Sequence, residues 1–272
     1  MLPYLLLFIA GLAGGFIAGL IGIGGGIIYV LVIPAALHHL GVPSTEIAQY
    51  TIANSLFAIL VASSLVNYQH FKQKIYIKEL ILIGTFSSIS SILSLKYIVN
   101  THHYTLFTYN LITLVFIIFL FINTIIKINR PLSSTIESPN TLWYPIIGIL
   151  GGLISSFSGL GGGIVIIPFL VSFLHQDIKK SSIISSGVIM LTAFVSTIYN
   201  LWEKPVHQLP IFSLGYIVLP ISLALIMGVL LTSTAGVAYS RKLSSSKITI
   251  IYSVFLLIVI LKKTIELFNI NF

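Results

Sequence analysis

The sequence predicts an all-α polytopic membrane protein of two homologous four-segment halves, each opening with a long helix or hairpin that glycines break. Three observations predict it. Of 272 residues, 57% are hydrophobic and only 7% charged, with a mean hydropathy of +1.07; so little polar surface cannot cover a particle in water, and lipid must solvate much of the exterior. Apolar runs long enough to cross a hydrocarbon core recur along the chain. Two of those runs carry the same spacing of glycines, which marks an internal duplication.

The charge of +8 does not indicate a nucleic-acid partner, because the 14 Lys and Arg are scattered between apolar runs and read as topology signals. No cysteine is present, which removes disulfides, thiolate metal sites and thiol nucleophiles together. Met1 to Tyr4 lacks the positive start of a signal peptide, so the first segment is expected to belong to the mature protein.

Apolar segments lie near 4–37, 46–67, 78–96, 105–127, 143–174, 181–201, 211–233 and 248–268. The first and fifth are too long: as unbroken helices they would approach ~50 Å at 1.5 Å per residue. Each is interrupted by glycines, Gly22-Ile23-Gly24-Gly25-Gly26 and Gly159-Leu160-Gly161-Gly162-Gly163, which relax helical geometry and can turn the chain. Sliding the chain by 137 positions superposes Gly11, Gly14, Gly15, Gly22, Gly24, Gly25 and Gly26 on Gly148, Gly151, Gly152, Gly159, Gly161, Gly162 and Gly163, and His38 on His175. The first repeat is expected over 1–127, a more polar linker over 128–142 and the second repeat over 143–272. Duplicated membrane units characterise secondary transporters.

Charge counting separates two topologies. If each long segment crosses once, Lys and Arg divide eight against six, barely a bias. If each is a hairpin, Lys72, Lys74, Lys78, Lys127, Arg130, Lys179, Lys180, Arg241, Lys242 and Lys247 share one face, against Lys96, Lys204, Lys262 and Lys263. The second split is a usable positive-inside signal. It favours hairpins, inverted repeats and both termini outside.

Paired Gly-x-Gly-Gly-Gly segments followed by an apolar run and a proline, Gly22 to Pro34 and Gly159 to Pro168, resemble the sulfite exporter TauE/SafE family of membrane permeases. The resemblance covers both halves. It implies transport of sulfite, thiosulfate, organosulfonates or other small sulfur-containing anions, and the family name implies export. Repeat 1 departs from repeat 2 in two ways: its proline follows the glycines by eight residues rather than five, and Gly19 and Ile21 replace Ser156 and Ser158. The halves therefore need not contribute equally to a site.

The motif suits an anion. Beyond each triplet a helical arm begins with unpaired N–H groups and the positive end of a helix dipole, and glycine lets a ligand approach the backbone. Gly24, Gly25, Gly26, Gly161, Gly162 and Gly163 are accordingly the leading substrate-binding candidates, with Ser156 and Ser158 beside the second break. The upstream glycines Gly11, Gly15, Gly19, Gly148 and Gly152 have the GxxxG spacing of close helix packing instead.

No Asp, Glu, Lys or Arg falls at the centre of a span, with Glu46 and Glu266 near span ends; a cation carrier normally keeps a carboxylate there. Gln49, Asn54, Ser185 and Ser186 are further candidates to line a pathway, although Ser and Thr hydroxyls commonly bond back to their own helix. His38 and His175 close each second arm, where a histidine can face helix C-terminal carbonyls, and Trp143 and Trp202 sit at span ends as interfacial anchors. No nucleophile, base and orienting carboxylate occur together, and no group has metal-ligand spacing. The expectation is a permease in the cell membrane, not an enzyme, without metal or cofactor, working by alternating access; small residues leave room for a homodimer. The rival readings are a carrier of another small solute, amino acid or metal ion, and a non-transporting membrane component.

Overall fold

The computed structural model describes residues 2–71, 76–101, 103–128, 141–176, 178–207, 209 and 212–270. Among them are ten α-helices: α1 (Leu2–Ile21), α2 (Gly26–His39), α3 (Ile47–Phe71), α4 (Ile77–Ser94), α5 (Leu106–Ile128), α6 (Trp143–Ser158), α7 (Gly163–Ser172), α8 (Ile178–Trp202), α9 (Leu219–Ser240) and α10 (Ser245–Ile270). A π-helical turn, Leu95–Val99, extends α4. Five stretches, Pro3–Ile21, Ile47–Gln69, Ile77–Val99, Lys180–Trp202 and Leu219–Ser240, are long and apolar enough to cross a membrane. The class is therefore the expected all-α polytopic membrane protein. Linker residues 129–140, the charges Lys72, Lys74 and Arg130, and His102 lie outside the described residues.

One segment is displaced from its sequence reading. The run at 211–233 becomes a helix only at Leu219, after a two-residue hairpin pairing β1 (Ser213–Leu214) with β2 (Ile217–Val218). Gly215, at φ +56°, permits the turn, and Pro220 lies in the first turn of α9, where its missing N–H costs nothing.

Both long segments break at their glycines. Gly22, Gly24 and Gly25 take φ of +80°, +89° and +71°, and Gly159, Gly161 and Gly162 take +68°, +90° and +69°. A side chain disfavours this left-handed backbone by about 1–2 kcal/mol per residue, and the matched angles give the two breaks one path. Each chain then folds back along itself. Tyr29 packs its ring on Gly14, and Gly25 abuts the Gly14 carbonyl; Ile166 packs on Gly151, and Gly162 abuts the Gly151 carbonyl. The amide of Gln176 donates to the Tyr144 hydroxyl at 3.1 Å, joining the exit of α7 to the entry of α6.

The halves interleave. α1 lies along α9 in the same direction, with Gly11 on Leu225, Gly15 on Val229 and Gly19 on Ser233; α6 lies along α4 in the same way, with Gly148 on Ile83 and Gly152 on Ser87. A Cβ at Gly19 or Gly152 would stand 2.1 Å from a carbonyl of the neighbouring helix, so these glycines set the helix spacing through backbone approach. Between these pairs run α3 and α8, antiparallel. Asn67 donates to Ser186 O at 2.8 Å near one end. Near the other, Asn54 donates to Tyr216 O at 3.0 Å, and Tyr216 N to Asn200 O. α5 packs on α10. The main helix pairs, α1/α9, α4/α6, α3/α8 and α5/α10, each join a helix from the first part of the chain to one from the second.

Candidate substrate site at the paired glycine breaks

The interleaving brings the two breaks into contact. A Cβ at Gly26 would stand 2.9 Å from Gly159 O and 3.0 Å from Leu160 Cα. Ile59 of α3 and Ile189 of α8 touch both breaks: a Cβ at Gly24 would meet them at 3.1 and 3.5 Å, and one at Gly161 at 3.3 and 3.4 Å. Two isoleucines thus wedge the centre. Nothing in the sequence singles them out, since each is one apolar residue among many in its helix.

The glycines of each triplet do different jobs. Gly25 and Gly162 are the left-handed N-caps of α2 and α7, and neither helix has a side-chain cap. Their missing side chains leave room for the carbonyl of the opposing arm, whereas those of Gly24, Gly26, Gly161 and Gly163 leave room for Ile59, Ile189 or the other break. Among the described residues, the amides of Gly24, Gly25, Gly161 and Gly162 donate no backbone hydrogen bond. These donors are left free at a helix start, and the step from the left-handed cap, Gly25 or Gly162, into the right-handed first turn of α2 or α7 can form an anion-binding concavity.

Ser185 joins this centre. Its hydroxyl is 2.9 Å from where a Gly163 Cβ would be, and it is buried with no hydrogen-bond partner. The other predicted serines are engaged: Ser156 donates to Leu153 O at 2.9 Å, Ser158 to Ile154 O at 2.7 Å while accepting from Leu160 N, and Ser186 to Asn67 Oδ1 at 3.1 Å. Ser55 and Ser182 tie off the first arms, donating to Gly159 O at 2.7 Å and to Ile21 O at 3.0 Å.

Gln49 and Asn54 are not brought to the breaks. Gln49 donates to Val99 O and Tyr104 O, bracing the turn after α4. Asn54 donates to Tyr50 O and Tyr216 O, and accepts from Val218 N and the Ser222 hydroxyl. With its polar atoms occupied it holds the β-hairpin and α9 against α3. Sequence reasoning identified buried polar groups here but not which of them already had partners.

Ala18, Gly22, Gly24, Ser63, Val66, Ser186 and Ile189 surround a space beside the first break that is too narrow to admit water. The centre is closed. Sequence reasoning also missed Tyr29, whose buried hydroxyl beside Gly25 has no partner, and Lys263, which is completely buried.

Comparison with known proteins identifies the family. The family model described as Sulfite exporter TauE/SafE matches residues 7–263. A probable membrane transporter protein of Methanocaldococcus jannaschii is 30% identical over 251 residues, covering 91% of this chain and 90% of that protein. Another, from Haemophilus influenzae, is 27% identical over 261 residues, covering 94% and 96%. No solved structure matches. With nearly its whole length matched, its spans apolar and its glycine breaks paired, this chain belongs to the sulfite exporter TauE/SafE family of multi-pass membrane transporters.

Proposed function

We propose that the protein is a permease for a small sulfur-containing anion, such as sulfite, thiosulfate or an organosulfonate, and that the anion binds where the two glycine breaks meet. One observation carries this reading: two left-handed glycine turns with orphan amides abut at the centre, beside the unpartnered hydroxyl of Ser185. In lipid, unsatisfied donors cost several kcal/mol. An oxyanion offers acceptors on several sides, helped by the starts of α2 and α7. No charged side chain lines the space beside the first break, which suits a ligand held by dipoles and hydroxyls rather than a cation.

The antiparallel course of α3 and α8 supports inverted repeats, with the pseudo-twofold axis in the membrane plane. Both hairpins then return to the face they entered from. The more basic face then carries the connections from α3 to α4, α5 to α6, α7 to α8 and α9 to α10, consistent with termini outside. Alternating access follows if Ile59 and Ile189 part toward one face and then the other, each half repeating the movement of its partner.

The test is a thermal-shift panel on detergent-purified protein, comparing sulfite, thiosulfate, sulfate and methanesulfonate with chloride, phosphate, amino acids and divalent cations. A ligand at about 100 times its Kd stabilises the native state by about 2.7 kcal/mol. Selective stabilisation by sulfur anions, weakened about tenfold or more in Ser185→Ala, supports the proposal. Stabilisation by amino acids or cations alone overturns it.

A further inference from the structure

Away from the glycine centre, a groove opens between α4 and α6. Its walls are Phe86, Ile89, Leu93 and Tyr97, on α4 and the π-helical turn that extends it, and Ile149 and Leu153 on α6. They bound a hollow of about 440 Å³, within the range of roughly 300–1,000 Å³ typical of small-ligand sites. Two serine hydroxyls also face it, and both are engaged: Ser90 donates to Ile149 O at 3.0 Å and Ser94 to Ser90 O at 2.7 Å. The groove therefore offers an anionic solute no free hydroxyl, and its apolar walls give water too few partners to stay.

Length and charge define what fills it. From Phe86 to Ile98 the groove follows α4 for ~18 Å at 1.5 Å per residue, close to half of the ~30 Å hydrocarbon core and so to the depth of one leaflet. A helix from a second copy would cross both leaflets and would pack on small residues, whereas these walls are bulky. At the end of the span the π turn Leu95–Val99 presents three successive exposed residues, Lys96, Tyr97 and Ile98. The Lys96 ammonium lies 5.3 Å from the centre of the Tyr97 ring, and among the described residues no carboxylate pairs with it. An uncompensated ammonium beside a tyrosine at a span end, above an apolar groove one leaflet deep, complements a lipid with a negative headgroup.

We propose that the α4–α6 groove binds one anionic phospholipid, with an acyl chain along Phe86, Ile89, Leu93 and Ile149 and the phosphate paired with the Lys96 ammonium. The lipid bridges the two repeats, because α4 belongs to the first half and α6 opens the hairpin of the second. The site is separate from the glycine centre and does not depend on which solute crosses there.

The test is native mass spectrometry of detergent-purified protein titrated with phosphatidylglycerol or phosphatidylcholine of identical acyl chains, reading the first lipid bound. Wild type is expected to prefer phosphatidylglycerol by about fivefold, the effect of one lysine at an anionic headgroup. Lys96→Gln is expected to abolish the preference and Lys96→Arg to keep it, as is Lys204→Gln, which removes an exposed lysine elsewhere. Leu93→Trp and Ile149→Trp fill the groove from positions 50% and 40% exposed, where a larger apolar side chain displaces lipid rather than protein. Each is expected to weaken both lipids about tenfold, as losing contact with roughly two CH₂ groups does, with folding checked by size-exclusion chromatography. Equal affinity for the two lipids in wild type, a preference that survives Lys96→Gln, or wild-type lipid binding in both tryptophan variants overturns the proposal. A dimer that Ile149→Trp dissociates while lipid binding stays unchanged gives the groove to a second copy and also overturns it.

Discussion

Replacing single glycines of one triplet by alanine separates two costs that a break motif combines. Gly25→Ala places a methyl on a backbone at φ +71° and 2.3 Å from the Gly14 carbonyl oxygen, an atom fixed within α1. Left-handed strain of about 1–2 kcal/mol and overpacking of about 1–3 kcal/mol give a destabilisation of about 3 kcal/mol. Gly24→Ala, at φ +89°, meets only Ile59 at 3.1 Å and Ile189 at 3.5 Å, so the expected cost is about 1–2 kcal/mol. Gly41, at φ +78° with nothing within 4 Å, isolates strain alone: Gly41→Ala is expected to cost about 1 kcal/mol. The second repeat should copy the first, because Gly162 faces the Gly151 carbonyl at 2.4 Å while Gly161 faces isoleucine methyls at 3.3 Å or more. Thermal unfolding in detergent reads the ranking at roughly 2–4 °C per kcal/mol. The reasoning is refuted if Gly24→Ala unfolds as early as Gly25→Ala, or if Gly25→Ala is no worse than Gly41→Ala.

Other substitutions test the supporting structure. Asn54→Leu strands Tyr216 O, Val218 N and the Ser222 hydroxyl; it should cost about 3 kcal/mol without changing anion affinity in folded protein, so altered selectivity would return Asn54 to the binding site. The Glu46 carboxylate accepts from Val206 N at 2.8 Å and His207 N at 2.9 Å, and Glu46→Ala should lower stability by about 2–3 kcal/mol and speed hydrogen exchange at those two amides; unchanged exchange would mean the loop holds without it. Tyr29→Phe removes a buried hydroxyl that has no partner, so stability should change by less than about 1 kcal/mol. A larger loss would reveal a bond that the closed structure does not show.

The fold was legible wherever a pattern repeats. The 137-residue shift located both breaks, and the preference for hairpins over single crossings came from loop charge rather than from the apolar runs. The 211–233 segment was misplaced because Ile217 and Val218 serve a buried strand as readily as a span, and only Gly215 and Pro220 distinguish the two. The centre was legible in its glycines but not in Ile59 and Ile189, whose importance comes entirely from what packs on them. Polar residues were visible, yet a sequence does not say which hydroxyl is already bonded: Ser158, Ser186 and Asn54 have partners, and Ser185 does not. Lys263 was read as a topology charge. Its burial depends on Asn110 and Glu266, the first brought by another helix and the second by the next turn of its own.

Because the chain contains no cysteine, a single thiol can probe the centre directly. In proteoliposomes loaded with labelled thiosulfate, Ile189→Cys would be treated with a small membrane-permeant thiol reagent, and efflux compared before and after. The account predicts that modification blocks efflux and that thiosulfate slows the modification, since the anion and the reagent compete for the meeting point of the two breaks. Full efflux from completely modified protein would contradict it.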